Sequence, residues 1–191
     1  MVNLMIVCIL LLLCLVTNGK NHTDQEFVQR AAIINGWEAL APYYVSVKLK
    51  KQGGNFRCGG TIVSEDTILT AAHCIDFSGV DSLRVVAGIS DRIGGNTNFE
   101  KSYTVKSAFM SADYHQSDYA SDDYAVLKLD EPIKYNRYVA AIPVCSAEYR
   151  TGRVRQVGMG LTSGDGTTSD KILEAFGTVV SVSVCNRAYL N

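Results

Sequence analysis

Along most of the chain, apolar side chains recur at every second position in short runs separated by Gly- and Asn-rich turns. Val45, Val47 and Leu49 alternate with Ser46, Lys48 and Lys50, the period-2 pattern of a strand with one buried face. Gln52-Gly53-Gly54-Asn55 then supplies turn residues, and apolar runs predict further strands at Leu83 to Ala87, Tyr103 to Val105 and Tyr124 to Leu129. Val180, Val182 and Val184 alternate with Ser181 and Ser183 and predict one more. Beyond the N-terminal leader, no long run shows the 3.6-residue period of a helix. Short strands at this spacing predict an all-β barrel or sandwich.

Alternation also gives single side chains a direction. In Ser121 to Leu129, Asp123, Ala125, Leu127 and Leu129 share the apolar face, while Asp122, Tyr124, Val126 and Lys128 share the other. Asp123 is therefore predicted to turn its carboxylate inward, where it needs a hydrogen-bonded partner. Asp118 and Asp122 read as ordinary loop charges, and His115 as solvent-facing.

The N-terminus follows another pattern. Met1 to Val16 is apolar apart from Asn3, and its Leu4 to Val16 core is too short to span a bilayer comfortably. It reads as the apolar core of a signal peptide covering 1–19, cleaved after Gly19, with a retained signal anchor as the alternative. Residues 20–32 are polar without a hydrophobic period and are expected to form a propeptide or flexible extension. Asn21-His22-Thr23 fits the N-glycosylation acceptor pattern. Secretion implies an oxidising compartment.

Composition narrows the function. The 191 residues are 47% hydrophobic and 19% charged, enough apolar surface for a substantial core. A net charge of -1 gives no reason to expect nucleic acid or an acidic membrane surface as partner. Lys48, Lys50 and Lys51 form the notable basic cluster and read as a solvated strand edge.

Cys8 and Cys14 leave with the leader, so four cysteines remain: Cys58, Cys74, Cys145 and Cys185. Four allow three pairings, and sequence alone does not choose. A zinc site lacks the close Cys-x-x-Cys or His-x-x-x-His pair that would chelate a metal. One histidine stands out. Thr70-Ala71-Ala72-His73-Cys74 follows the strand-like Thr67-Ile68-Leu69, with Cys58-Gly59-Gly60-Thr61 upstream. Imidazole can take a proton from a hydroxyl at neutral pH if its ring is held still. A bridge between Cys58 and Cys74 would pin the His73 end of that loop, and Gly59 and Gly60 would lend the backbone freedom.

Taken together, Cys58-Gly59-Gly60-Thr61-Ile62-Val63 and Leu69-Thr70-Ala71-Ala72-His73-Cys74 resemble the trypsin-like (chymotrypsin-fold) serine proteases. The resemblance runs from about Ile33 to the last residue. It implies an all-β, trypsin-like double β-barrel: a complete first barrel with the His and Asp in 33–135 and an incomplete second in 136–191. It pairs Cys58 with Cys74, makes His73 the catalytic base and makes Asp123 the acid that orients it. Cys185 would pair with a cysteine further along a longer chain, and Cys145 resembles one that some members bridge to a propeptide. Ile33-Ile34-Asn35-Gly36 looks like the mature N-terminus, whose freed ammonium in relatives pairs with an aspartate beside the nucleophile.

The sequence departs from that pattern at several places. Ala32, not a basic residue, precedes Ile33, and a cut after Arg30 would leave Ala31-Ala32 as an overhang. Met159 in Val157-Gly158-Met159-Gly160 replaces the family Trp, and Val154 stands where many relatives have a cysteine. The segment from Gly88 to Asn98 has Ile89 where a calcium loop needs an acidic ligand, so no calcium site is expected. Ser163-Gly164-Asp165-Gly166 reads as a Gly/Asp turn. The family's Gly-Asp-Ser-Gly-Gly nucleophile segment does not occur in these residues.

The expectation is a secreted serine endopeptidase acting on protein or peptide substrates and open to protease inhibitors. It needs no cofactor or metal, and no membrane partner once the signal is removed. As written, the chain reads as a fragment lacking the nucleophile, inactive and poorly soluble. A non-catalytic serine-protease homologue is the alternative, and a small structural β-protein the third reading.

Overall fold

The computed structural model describes residues 33, 36–51, 54–76, 80–89, 99–115, 122–145, 152–163, 167–181, 183, 184 and 187. Nine strands are assigned among them. They are β1 (Trp37–Glu38), β2 (Tyr44–Lys51), β3 (Gly54–Ser64), β4 (Thr67–Thr70), β5 (Val80–Ala87), β6 (Lys101–Met110), β7 (Ala125–Leu129), β8 (Gly152–Gly158) and β9 (Leu173–Val179). Six close into a barrel in the order β2-β3-β4-β7-β6-β5, and three form a sheet in the order β1-β9-β8. This is the trypsin-like architecture, one complete barrel beside an open sheet. Although β1 precedes the barrel in sequence, it pairs with β9, Trp37 opposite Glu174.

The barrel core follows from strand alternation. Val45, Val47 and Leu49 on β2 point inward, as do Leu127 and Leu129 on β7, none more than 5% exposed. Closure also demands small residues. Gly60 on β3 faces the interior, and a Cβ there would lie 3.0 Å from methyl carbons of both Ile68 and Val45. Space rather than backbone freedom accounts for this glycine, because neither it nor Gly59 takes a positive φ.

Three strand readings are corrected. Lys48 and Lys50 do not lie on an edge, because β2 is paired on both sides. Lys48 sits opposite Arg57 on β3 and Arg84 on β5, a row of three cations across the barrel's outside. Ser46, expected outward, is buried along with its cross-strand neighbour Val86, so that end of the outer face is covered. Lastly, β9 ends at Val179 and residues 183 and 184 are helical, where the Val180 to Val184 alternation predicts a strand. The Val184 N–H donates to the Ser181 carbonyl at 3.0 Å and to its hydroxyl at 3.4 Å. Serines in this stretch give the backbone local partners that compete with a ladder.

A network joins the sheet to the segment that leads into β2. Glu174 on β9 accepts from the Arg155 guanidinium and, at 2.6 Å, from the Trp37 indole N–H. Arg155 also donates to the Tyr43 hydroxyl and the Leu40 carbonyl, both at 3.2 Å. The segment carrying Trp37 to Tyr43 is thus held from both sides.

Candidate active site

Strand β4 ends at Thr70 and passes through Ala71 into a 3-10 turn, Ala72–Cys74, whose middle residue is His73. Two alanines make the close turn possible, and Ala72 is fully buried. Strand β4 runs antiparallel to β7 with Thr70 opposite Ala125. Continued past the strand ends, that register would set Ala72 opposite Asp123. His73 and Asp123, 50 residues apart in sequence, therefore emerge at the same end of one strand pair.

Both oxygens of Asp123 are engaged by His73. The ring Nδ1 lies 2.6 Å from Oδ2, and the backbone N–H donates to Oδ1 at 2.8 Å. A carboxylate can only accept, so the proton of a neutral ring is placed on Nδ1 and the lone pair on Nε2. The Asp123 side chain is 9% exposed and that of His73 33%, so the acid is shielded while the ring reaches solvent. Such an imidazole can take up a proton at Nε2, the resulting cation facing a buried anion.

Two restraints hold the turn. Cys58 and Cys74 are bonded at 2.00 Å, with Cα atoms 6.1 Å apart, linking β3 to the residue after His73. The Thr70 hydroxyl donates to the Gly59 carbonyl at 2.8 Å, a second tie to β3 that the sequence reading had not singled out. A cleft of about 210 Å³ runs beside this segment, lined by Tyr44, Gly59, Thr70, Ala71 and, from β8, Val157 among others. Burial pushes the Tyr44 hydroxyl up to about 12, with the Arg57 charge pulling the other way, so this wall stays neutral. A larger cavity of about 510 Å³, at Ser64 to Asp66 and Leu129 to Pro132, lies at the opposite end of β4 and β7.

The other singled-out residues are not part of this cluster. Ile33 is buried against Gly158, and its N–H donates to the Leu161 carbonyl at 2.8 Å. Cys145 is disulfide-bonded. His115 is exposed. Asn21, Asp118, Cys185, residues 90–98 and residues 164–166 lie outside the described residues. Among the described residues, the one His/Cys/Asp/Glu group close enough for a metal is Cys58, His73 and Cys74, two of which are spent in the disulfide. No helix among them is long and apolar enough to cross a membrane.

A family model described as Trypsin matches residues 32–191. Trypsin zeta of Drosophila melanogaster is 30% identical over 176 residues, 87% of this chain and 62% of that protein. Chymotrypsin-like elastase family member 1 of Homo sapiens is 25% identical over 174 residues, 86% of this chain and 66% of that protein. The chain therefore spans less than two thirds of the length of these relatives. A solved structure described as "Structure of GrC" superposes with a TM-score of 0.71 at 28% identity, covering 82% of this chain and 70% of that one.

Proposed function

The chain belongs to the trypsin family of serine proteases, and on that premise we propose that it supplies the base and orienting acid of a secreted serine endopeptidase. In this reading Asp123 keeps the His73 proton on Nδ1. Nε2 takes the proton of an attacking Ser hydroxyl and later returns it to the leaving amine, while oxyanion donors stabilise the tetrahedral intermediate. The observation that carries it is the engagement of both Asp123 oxygens by the ring and backbone of His73. The substrates are proteins or peptides, protease inhibitors are the natural opponents, and the leader at 1–19 directs export.

In this reading the nucleophile is the Ser of a Gly-Asp-Ser-Gly-Gly segment, which these 191 residues do not contain, and without it they are expected to be inactive. Ile33 is the mature N-terminus, residues 33–135 form the first unit except that Ile33 and Trp37–Glu38 join the sheet of the second, and residues 136–191 are part of the second except that Val139 packs in the barrel core. A second reading, a non-catalytic homologue that binds or regulates, is favoured by Ala32 in place of a basic residue before Ile33.

Fluorophosphonate labelling separates these readings. The 191-residue chain is expected to remain unlabelled. Completed with a Gly-Asp-Ser-Gly-Gly-bearing C-terminal part and cut before Ile33, it is expected to label in a manner abolished by His73→Ala. A chain that begins at Ile33 by N-terminal sequencing, carries that C-terminal part and still takes no label is the homologue.

A further inference from the structure

Asp122 is the one non-glycine residue with a positive φ among the described residues, at 54°. That region crowds Cβ against the backbone, and after Gly it is Asn and Asp that tolerate it. The residue is exposed, so no packing of its side chain imposes the conformation. Its backbone, however, starts a tight turn. The Tyr124 N–H donates to the Asp122 carbonyl at 2.8 Å, closing a three-residue ring with Asp123 at its apex. The Ser111 N–H donates to the Tyr124 carbonyl at 3.0 Å, fastening the far side of that ring next to β6.

Strand parity selects the inward face for Asp123 but does not set where on that face its carboxyl lies. Meeting both the backbone N–H and Nδ1 of His73 requires the chain to turn back immediately before β7. The ring is set by the torsions of its central residue, Asp123, and the left-handed residue at 122 sets the direction from which the chain enters it. We propose that Asp122 is a positioning residue for Asp123, acting through its backbone conformation and not through its charge. This rests on the reading of His73 and Asp123 as base and orienting acid. A residue read from sequence as an ordinary loop charge thereby acquires a role in the chemistry one position away.

The test is proton NMR of the full 191-residue chain, following the low-field resonance of the His73 Nδ1 proton, with thermal midpoints recorded alongside. The unmodified chain, Asp122→Gly and Asp122→Asn are expected to show the resonance at one position. Asp122→Val, whose branched Cβ is least compatible with positive φ, is expected to lose it. Should Asp122→Val fail to fold, Asp122→Ala carries the comparison, with a weakened or displaced signal expected.

A resonance unmoved in the folded Val or Ala variant overturns the proposal. So does its loss in Asp122→Asn, which would make the charge responsible. Asp123→Asn distinguishes the underlying reading: if the unmodified chain lacks the resonance, or Asp123→Asn retains it, the pairing of His73 with Asp123 is what fails.

Discussion

Gly60 is held to glycine by its neighbours, since a methyl group there would press on Ile68 and Val45 at 3.0 Å. Gly60→Ala is expected to destabilise the chain by about 1–3 kcal/mol, the usual cost of overpacking a closed core, measured by denaturant unfolding. Paired replacement of Cys58 and Cys74 by Ser opens a loop with a sequence separation of 16. Its expected cost is about 3 kcal/mol in the chain-entropy picture. In the proposed full-length enzyme, Asp123→Asn is expected to lower kcat about 10⁴-fold by favouring the wrong tautomer of His73. The inward face of Asp123 was legible because strand parity is local. The need for glycine at 60 and for a left-handed backbone at 122 was not, because both arise from contacts and turns that close only in three dimensions.

At the scale of elements, the β3–β4 turn carries a pH-dependent tie. The Asp66 carboxylate accepts from the Thr67 hydroxyl at 2.7 Å, from Lys128 on β7 at 3.0 Å and from the Ser64 hydroxyl at 2.9 Å. These partners, Thr67 foremost, hold its pKa down to about 2 against an ordinary 3.8. A carboxyl depressed in the folded state stabilises above its unfolded pKa, and that contribution is lost on protonation. Stability is therefore expected to fall as pH drops from about 4 to about 2, and Asp66→Asn to flatten that limb in acid titrations followed by circular dichroism.

The cation row on β2, β3 and β5 makes a second prediction. Lys48→Glu places an anion opposite Arg57 and Arg84 and is expected to raise the melting temperature, with about 0.2–1 kcal/mol from each cross-strand pair. Period-2 patterning located β2 but left its neighbours unspecified. It therefore showed the lysines facing solvent without showing that they lie mid-sheet.

Across the whole molecule, Trp37, Glu174, Arg155 and Tyr43 tie the three-stranded sheet to the segment that leads into the barrel. Arg155 and Glu174 are only 15% and 16% exposed, so removing one leaves the other poorly solvated. Glu174→Ala is expected to cost about 2 kcal/mol, the scale of a hydrogen bond to a charged group. Trp37 is the only tryptophan and donates to this carboxylate. Its fluorescence is expected to shift to the red in the variant while the far-ultraviolet signal of the barrel is retained. A variant with unchanged Trp37 emission would show that the tie does not govern the junction.

By itself, the sequence determined the β architecture of the barrel, the inward face of Asp123 and the segment that carries His73, because all three depend on patterns within a few neighbouring residues. Tertiary structure alone decided the partner strand of Trp37 and Glu38, the fate of the Val180 to Val184 alternation and the placement of both Asp123 oxygens against His73. Those depend on the register of strands far apart in sequence and on local hydrogen bonds. An alternating pattern can specify which way a side chain points, but not what stands opposite it.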